Sequence, residues 1–221
     1  MKIIQFIKNQ RPQSAFNLIE LMVLMGVGMV VVLLLLPGLL SRRAHTHSPE
    51  IPCINDLKQI GLAFRIWAGD NNGLYPMQME TNALGGPKYA DSTNAFRYFQ
   101  MMSNELSTPK ILACPGDAKL SATNFLGDFN NSHVSYFIGM EAMESSPSLI
   151  LSGDSHLTNN TAKSNGMMLF TTNQPAWWTK ERHHGIGNVL LTDGSVAQLK
   201  SIGLKGILTA TGRATNSLLF P

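Results

Sequence analysis

Apolar residues crowd into one stretch of this chain and are patterned elsewhere. From Leu18 to Leu40 they run almost without interruption, and Leu21–Leu36 holds 16 residues with no charge. The 23 residues from Leu18 to Leu40 exceed the roughly 20 that a helix needs to cross a bilayer, so the pattern predicts a transmembrane helix. One ionisable group, Glu20, falls inside it. A charged side chain at that depth costs about 2.5–3.5 kcal/mol on insertion scales and marks function by default.

Residues 41–52 are polar, carry Arg42, Arg43, His45 and His47, and end in Ser48-Pro49-Glu50-Ile51-Pro52. The prolines remove backbone donors and crowd the preceding turn, which predicts a kinked or broken stalk. Ser48 would cap a restarted helix with Pro49 or Pro52 in its first turn. From Cys53 to about Gly69 the period is helical: Ile54, Leu57, Ile60 or Gly61, Phe64 and Trp67 recur every three to four residues. That stripe is expected to be core lying against a sheet. Asp70-Asn71-Asn72-Gly73 then ends the helix with turn residues.

Residues 77–132 read as loop-rich, with Gly85-Gly86-Pro87, Pro109 and Pro115, and one short helix around Asn94–Leu106. A middle of this kind is where a surface-exposed module places its specificity. Strands are expected at 134–138, 148–152 and 167–171. A hairpin is expected from 188–192 and 195–199 around Asp193-Gly194, with a two-residue type I′ turn pairing Leu191 with Val196 and Leu190 with Ala197. These elements make an α+β chain.

Charge sharpens the picture at the N-terminus. Lys+Arg number 17 against 14 Asp+Glu, and the sequence pI is about 8.9. Residues 1–15 carry Lys2, Lys8 and Arg11 and no acid, so the remainder balances at 14 against 14. The basic pI therefore gives no support for a nucleic-acid partner. The basic start holds the N-terminus in the cytoplasm. A secretory signal peptide would be cut at a small-residue site after the apolar run, and none follows Leu40. The break in character comes earlier, at Ser14-Ala15/Phe16. A cut there would leave a free amine on Phe16 close to Glu20.

At Phe16-Asn17-Leu18-Ile19-Glu20-Leu21 the chain resembles the type IV pilin and type II secretion pseudopilin superfamily. That family has a short basic leader, a prepilin peptidase cut before Phe, and a mature start Phe-Thr-Leu-Ile-Glu-Leu. The resemblance implies cleavage after Ala15, N-methylation of Phe16, and an assembly role for Glu20 as partner of the Phe16 amine of a neighbouring subunit. Ala15 stands where the family usually has Gly, and Asn17 where it has Thr. Pro37 falls where many pilins carry a helix-bending proline. The run Cys53–Phe64, ending in Asp70–Pro76, is similar to a pseudopilin-like branch abundant in Planctomycetes and Verrucomicrobia. So are Cys114-Pro115-Gly116-Asp117 and a His-x9-Asp-Gly element at His183, Asp193 and Gly194. The implied architecture is pilin-like: a long, kinked N-terminal transmembrane helix packing on a C-terminal antiparallel sheet. Its parts are a leader (1–15), an assembly helix (16–40), a Pro-broken linker (41–52) and a periplasmic domain (53–221) on an inner-membrane anchor.

Cys53 and Cys114 would fall on the exported side, where disulfides are permitted. A bridge would tie the first helix of the domain to the loop 112–117; two buried thiols are the alternative. Two cysteines alone do not make a zinc site. His183, His184, Asp193, Asp154 and His156 could form a metal or catalytic cluster, but turn geometry already accounts for Asp193-Gly194. The preferred reading is structural, with His183 bonding at the sheet end. Calcium wants six to eight oxygens; Asp117, Asp128, Asn130 and Asn131 are the available ones, with no dense Asp-x-Asp run, and no metal ligand or cofactor is assigned. Trp177-Trp178 reads as packing over the sheet more than as a contact surface. No nucleophile elbow, phosphate loop or His-Glu-x-x-His is present.

The expected function is a structural subunit, not an enzyme. It would be processed by prepilin peptidase and assembled with other pilin or pseudopilin subunits into a secretion pseudopilus or pilus-like fibre. The alternative is a membrane-anchored periplasmic binding module that uses the pilin-like start only for export.

Overall fold

Two units make up the chain, 1–46 and 47–221. The computed structural model describes residues 17–40, 50–79 and 95–221. The cleavage position Ala15/Phe16, the leader, and most of the linker, with Arg42, Arg43, Ser48 and Pro49, lie outside the described residues.

In the first unit, Leu18–Leu40 is one helix, α1, which runs on through Pro37. The Asn17 carbonyl accepts the Leu21 N–H, and Glu20 sits in the first turn, where the helix dipole favours a carboxylate. The expected transmembrane helix is corrected here. Among the described residues, no helix is long and apolar enough to cross a membrane. The single-pass inner-membrane location expected for the chain is overturned by the same finding.

The second unit is the α+β body. Its sheet has six antiparallel strands in the order β4-β8-β1-β2-β6-β7. The strands are β1 Tyr136–Gly139, β2 Ile150–Asp154, β4 Met167–Thr171, β6 Ile186–Leu191, β7 Val196–Lys200 and β8 Thr215–Leu219. A separate two-stranded sheet pairs β3 Leu157–Asn159 with β5 Ala176–Trp178.

Both faces of the large sheet are covered. Helix α2, Glu50–Asp70, carries Cys53, Leu57, Ile60 and Phe64 into one core, with Tyr136, Ile138, Leu151, Leu190 and Leu219 of the sheet. Helix α5, Ser201–Ala210, packs Leu204 and Leu208 into the opposite core with Phe137, Ile150, Met168, Phe170, Val189 and Leu218. Alternate residues of β1 thus enter different cores, and all four of its residues are buried. A strand buried on both faces reads as a continuous apolar run rather than an alternation. Gly61 lets α2 approach β6 closely: a Cβ there would lie 2.9 Å from Leu190 Cδ1.

The helix expected to restart after Ser48 and run to about Gly69 is α2, described from Glu50 to Asp70, with Pro52 in its first turn. The short middle helix divides into α3, Ala95–Met101, and α4, Ser103–Leu106. The described part of the middle segment, 77–79 and 95–132, is not mainly surface. Tyr98, Phe99, Met102, Leu106, Leu112, Phe125 and Phe129 are buried in the α2 core, and Phe129 stands edge-on to both Phe96 and Phe125.

The hairpin register differs from the expected one by a residue. Leu190 faces Val196 and Val189 faces Ala197. The Gly194 N–H donates to the Leu191 carbonyl, and the Leu191 N–H donates to the Ser195 carbonyl. Gly194 has φ +86°. This is a three-residue connection with a left-handed glycine, the G1-bulge form rather than a type I′ turn.

Candidate functional site

The chemistry-bearing residues converge beside the N-terminal part of α2. The Cys-Pro-Gly-Asp segment leaves a 3₁₀ turn at Pro109–Leu112. Cys114 is bridged to Cys53 of α2, and both are essentially fully buried. The bridge clamps the start of α2 to a loop 61 positions away.

The turn before β6 supplies the other half. His183, His184 and Gly185 have φ of 50°, 54° and 82°, three left-handed residues in succession. Non-glycine residues there cost of order 1 kcal/mol or more each and persist only where surrounding contacts hold them. The contacts holding this turn are specific. His183 Nε2 lies 3.3 Å from Cys114 Sγ. The ring rests over Gly116, where a Cβ would meet His183 Cε1 at 2.7 Å, so the glycine of Cys-Pro-Gly-Asp makes room for the imidazole. Next to it, Arg182 Nη1 lies 3.0 Å from Asp117 Oδ2. Arg182 also donates to the Ser135 carbonyl and the Ser155 hydroxyl, while the Ser135 hydroxyl donates to Asp117. Two motifs far apart in sequence therefore interlock twice, cysteine to histidine and aspartate to arginine.

A second buried pair extends the network. Asp154, at the end of β2, accepts from the backbone N–H and the side-chain amide of Asn188 on β6. Burial pushes the Asp154 carboxyl above its ordinary range, against the Asn188 backbone hydrogen bond and the Arg182 and His183 charges. His156 follows β2 and aims Nε2 at the Ile186 carbonyl. Its ring centroid is 5.0 Å from Trp178 and 5.9 Å from His183. Burial drives the His156 pKa down to about 4, with Arg182 adding to the effect. Burial also lowers Lys119 to about 8; its ammonium donates to the carbonyls of Asn131 and Val134.

Of the sequence-derived cluster, His183, His156 and Asp154 gather here. Asp193 and His184 do not. His183 precedes β6 and Asp193 follows it, so a six-residue strand, on the order of 20 Å, lies between them. Asp193 is exposed and accepts the Ser195 N–H at the hairpin; the Ser195 side chain first, and this backbone bond second, hold its carboxyl below the ordinary range. The His-x9-Asp-Gly spacing thus marks the two ends of one strand, and the imidazole serves the disulfide instead of the turn. Three of the four candidate calcium ligands are employed elsewhere. Asp117 pairs with Arg182, Asn130 accepts the Ser132 N–H, Asn131 accepts the Phe96 N–H, and Asp128 is exposed. Trp178 is buried and Trp177 half-buried. The Trp178 indole covers Gly187, where a Cβ would meet the ring at 2.4 Å.

Arg182 and Asn188 escaped the sequence reading, and Asp117 was weighed there only as a calcium oxygen and a motif residue. Their one signal was adjacency: Arg182 precedes His183, and Asp117 closes the Cys-Pro-Gly-Asp segment. Among the described residues, the group able to hold a metal ion is Cys53, Cys114 and His183, whose ligand atoms lie within 4.8 Å of one another. Chemically the site is a lock. Arg182 and Asp117 are consumed by each other, Asp154 is held by Asn188, and the cysteines and His183 are buried. No family model matches the chain, and no curated protein or solved structure is similar to it.

Proposed function

We propose that this protein is a structural subunit of a pilin- or pseudopilin-like fibre. It is cut between Ala15 and Phe16 by prepilin peptidase and assembled through its N-terminal helix with other subunits of the same kind. The observation that carries this reading is the surface of α1. Leu18, Met22, Met25 and Met29 are 72%, 68%, 71% and 69% exposed, and Val23, Val27 and Leu34 are exposed as well. A helix apolar all round is a buried helix in its working state. The body at 47–221 already has its own two cores, so α1 is not needed to complete it. Helices of neighbouring copies are the cover this reading assigns.

In such a bundle Glu20 becomes a buried carboxylate, tolerable only when paired. The amine created on Phe16 of an adjacent subunit is its partner, and the pair sets the register between helices. Mass spectrometry of the purified protein tests the first step. Loss of residues 1–15 with an N-methylated Phe16 supports the reading, and an intact leader on the functional protein defeats it. Crosslinks between cysteines introduced along α1 of neighbouring copies test the second.

A further inference from the structure

His183 is an expensive choice for covering a disulfide. Its Nδ1 is buried without a hydrogen-bond partner, an unsatisfied polar group that costs stability, and its backbone is left-handed. A bridged sulfur is a weak acceptor that returns little for a nitrogen placed 3.3 Å away. An apolar side chain would fill the same space without an orphaned nitrogen. Gly116 and the Arg182–Asp117 pair nevertheless hold the imidazole there. It is Nε2, facing Cys114 Sγ, that gains a proper partner when the sulfurs are thiolates.

We propose that the chain with an open bridge binds one zinc ion through Cys53 Sγ, Cys114 Sγ and His183 Nε2. Two thiolates and one imidazole are a recurrent zinc donor set, with a water filling the fourth position. Tetrahedral zinc with bonds of about 2.3 Å to sulfur and about 2.1 Å to nitrogen sets ligand atoms about 3.6–3.8 Å apart. The Nε2–Sγ distance of 3.3 Å is close to this, and the three atoms already lie within 4.8 Å of one another. Binding converts two thiols to thiolates and releases two protons to solvent, so affinity rises with pH. No electron is transferred. The ion would hold the two sulfurs side by side in the chain whose bridge has not formed, a role independent of fibre assembly.

The test uses the full chain, reduced with a phosphine and titrated with zinc(II) alone, then with cobalt(II) as a spectroscopic probe. The expected result is one equivalent bound, both cysteines shielded from alkylation, and a thiolate-to-cobalt charge-transfer band. His183→Ala should weaken binding by more than about 100-fold, the upper end of what even a supporting residue costs. The bridged form of that variant, checked by tryptophan emission, shows whether it folds. If the reduced chain is unfolded, zinc must restore the folded emission in the parent and fail to do so in His183→Ala. No uptake by the reduced chain, equal affinity in His183→Ala, or no recovery of the fold with zinc would each overturn the proposal. A Cys114 thiolate that forms at neutral pH without metal uptake would assign His183 to thiolate stabilisation instead.

Discussion

Arg182 Nη1 lies 3.0 Å from Asp117 Oδ2, one residue from the point where His183 meets Cys114. The ion pair ties the 114–117 loop to the turn before β6, and the disulfide ties the same loop to α2. Arg182 is 5% exposed and Asp117 13%, so water screens the pair poorly. Removing one partner of a buried pair leaves an uncompensated charge and costs about 3–5 kcal/mol. Arg182→Met is expected near 3 kcal/mol, because Asp117 keeps the Ser135 hydroxyl. Urea unfolding of Arg182→Met, Asp117→Asn and the double variant checks this; the double variant must cost less than the sum.

The bridge constrains a loop of 61 positions. Chain-entropy arithmetic assigns such a loop about 4 kcal/mol. Cys53→Ala with Cys114→Ala should lower stability by roughly 2–4 kcal/mol, read as a shift in the urea midpoint against the oxidised parent.

Gly116→Ala puts a methyl 2.7 Å from His183 Cε1. The imidazole must leave Cys114, at a cost of about 1–3 kcal/mol for overpacking. Gly187→Ala drives a methyl into the Trp178 ring at 2.4 Å and should cost a similar amount. The two are told apart by tryptophan emission, which moves for Gly187→Ala and stays for Gly116→Ala.

Buried His156 and half-buried Asp56 give pH dependences of opposite sign. His156 has a folded pKa of about 4 against its ordinary 6.5. As pH falls through that window the unfolded chain takes a proton that the folded chain refuses, so stability is lost. His156→Gln should therefore outlast the parent at pH 4 and match it at pH 7. Asp56, which Tyr136 reaches from β1, is raised by burial to about 6 from 3.8. Between those values the folded chain holds the extra proton, so stability falls as pH rises. Asp56→Asn should gain about 1–2 kcal/mol at pH 7 after solvent screening, and nothing at pH 4. Melting temperatures at the two pH values decide both.

For the fibre reading, Glu20→Ala should leave leader cleavage and the melting of the 47–221 body unchanged. It should remove most of the α1–α1 crosslinked oligomer. Wild-type oligomer yield in that variant would end the pairing role assigned to Glu20.

Much of the body was legible in advance. The α2 stripe, the strand positions near 136, 150 and 167, and the hairpin around Asp193-Gly194 follow from periods of 3.6 and 2 and from turn chemistry. The short strands β3 and β5 were not visible, being three residues each. Helix α5 was hidden by Gly203 and Gly206 within it. Strand β8, Thr215–Leu219, ends in two consecutive leucines that enter opposite cores, which blurs its alternation. The metal-competent triad was missed because two cysteines were weighed without the histidine that folding brings to them.

Sequence alone determined the α+β class, the apolar character of 18–40 and the placement of the regular elements, since each depends on neighbours a few residues away. Tertiary structure decided the hairpin register, the partner of His183 and the division of each central strand between two cores. Those depend on the strand order β4-β8-β1-β2-β6-β7, which brings together segments as far apart as Cys114 and His183. No local period encodes such an order, because burial on the second face of a strand is set by whatever the rest of the chain packs there.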